Sequence, residues 1–290
     1  MNVFVAGGHG FIGTNLVKYL TDHTDHSVVV FDNFCMVSQM NIPVFRHKRV
    51  KVIQGDIQNS MMVKHWMKDC DVVINLAAQC GVQQSITDPV SDAHTNVVGL
   101  VNLLQWAHTY KISRFIHASS FAVHNTRSFY AVNKKMGEQY LQLFSELYAM
   151  ETVALRLSNV YGPYSEHKSS VIAKWMRLRD KGEVLPVFGD GSQVRDFVFV
   201  GDVVEAFVHA IDVDLPKNHM VLPVCTGVGT AVKEVAQLIS SEVVCGHELP
   251  VGDGDAVVVD PLVTRSVLQI GLDTNIMDGL NMMKTTKVSV

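Results

Sequence analysis

The stretch Val3–Gly13, VFVAGGHGFIG, carries an apolar strand into a helix through glycines at every third position, Gly7, Gly10 and Gly13. Val3 to Ala6 is the short apolar run of a fully buried parallel strand. Gly7 allows a tight turn, Gly10 lets backbone approach a phosphate, and Gly13 lets the following helix, residues 12–21, pack closely. The free N–H groups and positive dipole end of that helix suit a pyrophosphate. A second apolar run, residues 27–31, ends in Asp32, near the ~20-residue offset at which an acid meets adenosine ribose hydroxyls. A carboxylate there repels a 2′-phosphate, so NAD is expected over NADP.

Working outward, residues 33–48 read as a loop with one helical turn, and residues 50–54 as the third strand. Asp56 follows it, placed either to meet an adenine amino group or to cap a helix over residues 58–68. Residues 71–76 form the fourth strand, followed by the small pair Ala77-Ala78. A long helix over residues 92–110 is apolar on more than one face, so a partner helix is implied. Residues 114–118, 130–150 and 152–156 continue as strand, helix and strand. This alternation predicts an α/β doubly wound parallel sheet. Beyond Asn159 the rhythm breaks at Gly162-Pro163 and Gly189-Asp190-Gly191, so residues 1–160 are assigned to dinucleotide binding. Residues 161–290 are assigned to a smaller mixed α/β substrate lobe, in part interleaved with the sheet.

The chain has 290 residues, 48% hydrophobic and 18% charged, with a net charge of -4. No basic run suggests nucleic acid, and no segment has the length of a membrane span, so a cytoplasmic enzyme is expected. Five scattered cysteines without a Cys-x-x-Cys pair read as reduced structural thiols. Thirteen histidines include no metal-ligand spacing; they read as surface or loop residues, and no metal is expected.

Ser120, Tyr130 and Lys134 lie where the fifth strand gives way to the next helix, with Tyr130 and Lys134 four apart on one face. Oxidising a carbinol carbon requires its hydroxyl proton to be removed with the hydride, and a free tyrosine with pKa ~10 is a poor base. A neighbouring ammonium and a nicotinamide cation favour the phenolate, while Ser120 can bond the same substrate oxygen.

With these residues stand further motifs: Asp32-Asn33, Asp56-Ile57, Leu76-Ala77-Ala78, Asn96 in NVVGLVNLL, LRLSNVYGP at Leu155–Pro163 and FGDGSQVRDFVFVGDV at Phe188–Val203. Together they resemble the extended short-chain dehydrogenase/reductases, specifically the NAD-dependent nucleotide-sugar epimerase/dehydratase family and within it the UDP-glucose 4-epimerase group. The resemblance implies a Rossmann-type domain and NAD contacts from Phe11, Ile12, Asn33, Ile57, Leu76 and Asn96 as well as from the glycines. It also implies that Lys134 holds the nicotinamide ribose, Asn159 touches the sugar diphosphate and Arg195 binds a nucleotide phosphate. It implies a nucleotide-sugar substrate, by default a UDP-sugar, and a homodimer formed through the two long helices.

Dehydratases of this family place one or two acids after the catalytic Ser/Thr; here Phe121 and Ala122 follow Ser120. That favours a 4-epimerase, with an NAD-linked sugar dehydrogenase or reductase, or an NAD-binding non-enzyme, as alternatives. The chain departs from the family pattern at His124-Asn125, in a shorter loop before Tyr130, and at Leu249–Asp253, which lacks a second nucleotide arginine.

Overall fold

The computed structural model describes residues 1–36, 42–248 and 257–285. Its strands are β1 (Asn2–Ala6), β2 (Ser27–Asp32), β3 (Val50–Gln54), β4 (Val72–Asn75), β5 (Arg114–Ser120) and β6 (Glu151–Leu157), then β7 (Asn159–Tyr161), β8 (Leu185–Phe188), β9 (Val194–Phe199), β10 (His219–Val224), β11 (Gly229–Ala231) and β12 (Val243–His247). The main sheet is parallel throughout, in the order β10-β6-β5-β4-β1-β2-β3. The chain order reverses between β4 and β1, the place where such sheets open a ligand crevice. The strand β10 comes from beyond residue 160, so the chain returns to the main sheet after building part of the lobe. Two smaller sheets, β11-β9-β7 and β12-β8, form that lobe.

Strand pleating explains why both sheet faces are apolar. Val3 and Val5 point into one core, with Val28, Val30, Ile74 and Ile116; Phe4 and Ala6 point into the other, with Phe31, Val73 and Phe115. Each Val, Ile or Phe among them, when fully buried, contributes about 1.5–3 kcal/mol. The helices α1 (Phe11–His23), α2 (Ser60–Met67), α3 (Val82–Thr87), α4 (Pro89–Ala93), α5 (Leu100–Thr109), α6 (Phe129–Tyr148), α7 (Val171–Asp180) and α8 (Val200–Asp212) follow in order. The helix α1 packs with α8 over the first core, and α2 and α6 flank α5 over the second.

Several expectations change. The helix after β3 is capped by Asn59, whose side chain accepts from Met62 N, and not by Asp56. Asp56 instead accepts from Gln58 N at 2.9 Å and from Asn33 Nδ2 at 3.0 Å, tying β3 to the end of β2. The long helix expected at residues 92–110 begins earlier, at Pro89, because Asp88 caps it by accepting from Ser91 N and proline suits a first helical turn. It also contains a wider π segment, His94–Gly99, between α4 and α5. The expected turn within residues 33–48 is a 3₁₀ turn at Pro43–Arg46, and residues 37–41 of that loop lie outside the described residues. The departure noted at Leu249–Asp253 also lies outside them. No helix among the described residues is long and apolar enough to cross a membrane.

Candidate active site

A cavity of about 670 Å³ opens at the carboxyl ends of β1 to β6. It is lined by Gly7, Gly10, Phe11, Ile12, Gly13, Asp32, Asn33, Asp56, Ile57, Leu76, Ala77, Ala78, Ser120, Tyr130, Lys134 and Asn159. Asn96 and Arg195 are not part of that lining.

At one end lies the glycine turn. Gly7 is left-handed, at φ 74°, and a Cβ there would sit 2.6 Å from Ala77 N on the loop after β4. A Cβ on Gly13 would meet Gly7 O at 2.4 Å, so α1 starts against the turn itself. Its N-cap, Gly10, has no side chain to occupy the first-turn amides. They remain available to a pyrophosphate, which is how the site fits a dinucleotide. Asp32 accepts from His9 N at 2.9 Å through one oxygen and from Phe34 N at 2.8 Å through the other. It is thereby fixed at the end of β2 with lone pairs left for ribose hydroxyls.

The loop after β4 is held from behind. Asn96, 2% exposed in the π segment, accepts from Gln79 N at 3.1 Å and donates to Gln79 O at 3.0 Å. It shapes the wall from the layer beneath. Asn75 accepts from Ala77 N and pairs with His117 Nδ1 at 3.2 Å, its neighbour across the β4–β5 register.

At the other end α6 brings up Tyr130 and Lys134. Ser128 caps the helix by accepting from Ala131 N, and Tyr130 and Lys134 then occupy successive turns of one face. Lys134 is 3% exposed and donates to Ala118 O at 2.9 Å; its Nζ lies 5.8 Å from the Tyr130 ring centre. Burial lowers the Lys134 pKa, while Cys80 and the buried carboxylate of Asp92 oppose that shift. The Tyr130 phenol is pushed up, first by burial and then by Cys80 and Asp92, with a hydrogen bond to Ser120 acting in the opposite direction. In the protein alone burial thus holds Tyr130 as the phenol, and the expected phenolate requires the nicotinamide cation as well as the ammonium.

Beneath this end, Glu138 on α6 accepts from Ser119 Oγ at 2.6 Å and holds Arg156 of β6 through two bonds of 2.7 Å. The helix is thus locked in register with β5 and β6. Ser120 Oγ accepts from Ala122 N, which orients the hydroxyl at the strand end.

The third wall comes from the lobe. Asp196 on β9 is fully buried and accepts from Ser158 Oγ, from the Thr226 N and Oγ1 groups, and from Gly227 N at 2.8 Å. Its backbone carbonyl accepts from Asn159 Nδ2 at 3.1 Å, placing Asn159 on the cavity rim. Arg195 sits on β9 opposite Thr230 and donates to Val194 O.

Sequence reasoning missed His9, Gln79, Cys80, Ser91, Thr95, His167 and Lys168, all of which line the cavity. The signal for His9 was its place inside the glycine turn. It is 5% exposed and stacked on Phe45, 4.4 Å between ring centres, and His117 is 1% exposed, so these two histidines are not surface residues. All five cysteines are free thiols, in line with the expected reduced state, and two of them, Cys35 and Cys80, face the cavity.

The model of the NAD dependent epimerase/dehydratase family matches residues 3–222. The UDP-glucose 4-epimerase of Mycolicibacterium smegmatis is 33% identical over 234 residues, covering 72% of this chain and 73% of that protein. The human dTDP-D-glucose 4,6-dehydratase is 31% identical over 226 residues, 71% of this chain and 64% of that protein. The crystal structure of Thermotoga maritima UDP-glucose 4-epimerase with UDP-glucose superposes with a TM-score of 0.89 at 28% identity, covering 98% and 97% of the two chains. With a glycine turn that fits a dinucleotide and a tyrosine–lysine pair at the sheet edge, the chain belongs to the NAD-dependent epimerase/dehydratase family.

Proposed function

We propose that this protein is a nucleotide-sugar 4-epimerase acting on a UDP-sugar. The observation that carries the reading is the placement of charge in the cavity. Among the described residues lining it, the carboxylates are Asp32 and Asp56, both at the β2–β3 end. Besides the Cys80 thiol, the Tyr130 end offers a phenol, the Ser120 hydroxyl and the Lys134 ammonium, a set suited to moving one proton to and from one oxygen. Elimination at a neighbouring sugar carbon needs a further acid or base, and Phe121 and Ala122 supply none.

When bound, NAD supplies a reversible hydride acceptor and a positive ring charge. Tyr130 takes the proton of the C4 hydroxyl, helped by Lys134, and returns it after the 4-keto sugar has turned over. Ser120 holds the same oxygen throughout. Asn159, on the rim, is assigned to the sugar diphosphate; Arg195 would need to reach in from β9 to serve the nucleotide phosphate. Incubation with C4-deuterated UDP-glucose is expected to yield UDP-galactose with the label retained at C4. Accumulation of a 4-keto-6-deoxy sugar would assign a dehydratase instead.

The protein is further proposed to work as a homodimer. On α6, Val132, Met136, Leu143, Leu147 and Tyr148 are exposed, whereas Tyr140 and Phe144 pack against the second core. Val98 on the π segment is exposed as well. Such an apolar face fits a two-fold helix pairing, and light scattering should give twice the chain mass.

A further inference from the structure

We propose that His9, His167 and Lys168 form a basic clamp, one part on the glycine turn and one on the lobe, that grips the pyrophosphate of the bound dinucleotide. The inference rests on NAD being the family's cofactor and assigns residues to holding it. Among the described residues lining the cavity, the basic side chains are His9, Lys134, His167 and Lys168. Lys134 is committed to the Tyr130 end, which leaves three for the glycine turn.

Their proximity is visible from both sides. The Lys168 Nζ lies 5.5 Å from the ring centre of Phe11, the first residue of α1. His167 feels the charge of His9 as well as those of Lys168 and Arg177. The loop between β7 and α7 is tied to α1 by Asn15, whose Nδ2 donates to Pro163 O at 2.9 Å. Ser165 Oγ to Gly162 O, Lys168 N to Ser165 O and Arg177 Nη1 to Lys168 O give the loop a fixed shape.

Two of the three bases carry an unanswered polar atom. Nδ1 of His9 and Nδ1 of His167 are buried without a hydrogen-bond partner among the described residues. An imidazole buried in this way is costly unless a ligand or charge compensates it. Burial lowers the pKa of both rings, with Asp32 the one charge opposing this at His9. An anion arriving at the start of α1 reverses the balance, because it favours the protonated ring. Binding of NAD then takes up protons, and by linkage affinity rises as pH falls.

Equilibrium dialysis of the purified NAD-bound protein tests this without reference to turnover. The wild type is expected to hold NAD more tightly at pH 6 than at pH 8. Lys168→Met, at a partly exposed position, should weaken NAD about tenfold at both values, the scale of one charge-assisted hydrogen bond. The double variant His9→Phe, His167→Gln keeps a ring against Phe45 and should abolish the pH difference. Affinity for UDP, measured in parallel, should not change. A wild-type affinity indifferent to pH, or unchanged NAD affinity in the variants, overturns the clamp alone. Weakened UDP with unchanged NAD overturns it in favour of the substrate diphosphate. A wild type that holds no NAD at all overturns the cofactor reading and the clamp with it.

Discussion

The sheet side of the cavity and the lobe side are held in place by different forces. On the sheet side, position follows from apolar packing and steric contact: alternate residues of β1, β2, β4 and β5 fill two cores, and Gly7 and Gly13 bring backbone against backbone. On the lobe side the strands β7 and β11 are three residues each, and a single buried carboxylate, Asp196, accepts hydrogen bonds from the residues that lead into them, Ser158 and Thr226-Gly227. Packing energy is spread over many residues, whereas hydrogen bonds to one ion are concentrated in it. The first arrangement tolerates single losses and the second does not.

The contrast is tested most strongly at Tyr130, to which the proposed function assigns the proton transfer. Tyr130→Phe should reduce epimerase turnover by about 10²- to 10⁴-fold, the worth of a general acid–base group, with NAD still bound and the unfolding midpoint unchanged. A fall in stability of comparable weight would give the phenol a structural task. Next comes Gly13→Ala, which forces a Cβ onto Gly7 O and should cost about 3 kcal/mol in urea unfolding, as overpacking does. Asp196→Asn should cost about 2 kcal/mol, since several of its bonds lose their charged acceptor. It should also raise KM for the sugar nucleotide more than it lowers kcat, because weakening the side-chain bonds of Asp196 loosens the β9 backbone whose carbonyl at 196 holds Asn159. An unchanged unfolding midpoint in Asp196→Asn would mean that the lobe is as redundantly held as the sheet.

The smallest effect at neutral pH is a titration. Burial lowers the pKa of His9, His117, His167 and His219, so the folded protein without NAD resists protonating these rings more than the unfolded chain does. The unfolded chain protonates them below about pH 6.5. The unfolded state then binds more protons, and stability falls as pH drops below that value. Urea midpoints at pH 7 and pH 5 measure the slope, and His117→Asn should make it shallower. An unaltered slope would mean that His117 protonates in the folded protein as it does in the unfolded chain.

The same division explains what the sequence reveals. The first six strands of the main sheet lie within two residues of where apolar runs place them, because most are buried on both faces and even the half-buried edge strand β3 is an apolar run bounded by a turn signal. Tyr130, Lys134 and Ser120 are readable because their spacing is local. The lobe strands are not, since a three-residue strand such as β7 has no period to detect. Nor do composition and spacing reveal that Asp196 is a hub or Asn96 a wall support, because their partners lie 30 and 17 residues away. His9 was hidden for another reason: glycines dominate the reading of its turn, and only packing on Phe45 shows that its ring is buried.

The wide coil at His94–Gly99 has a historical implication. A helix gains such a coil when it accepts an extra residue without losing its ends, and each residue in ordinary winding turns the chain by about 100°. Deleting a single codon there would restore regular winding and swing Asn96 away from Gln79 or Asp92 away from Asn133, so the segment can vary in letter far more easily than in length.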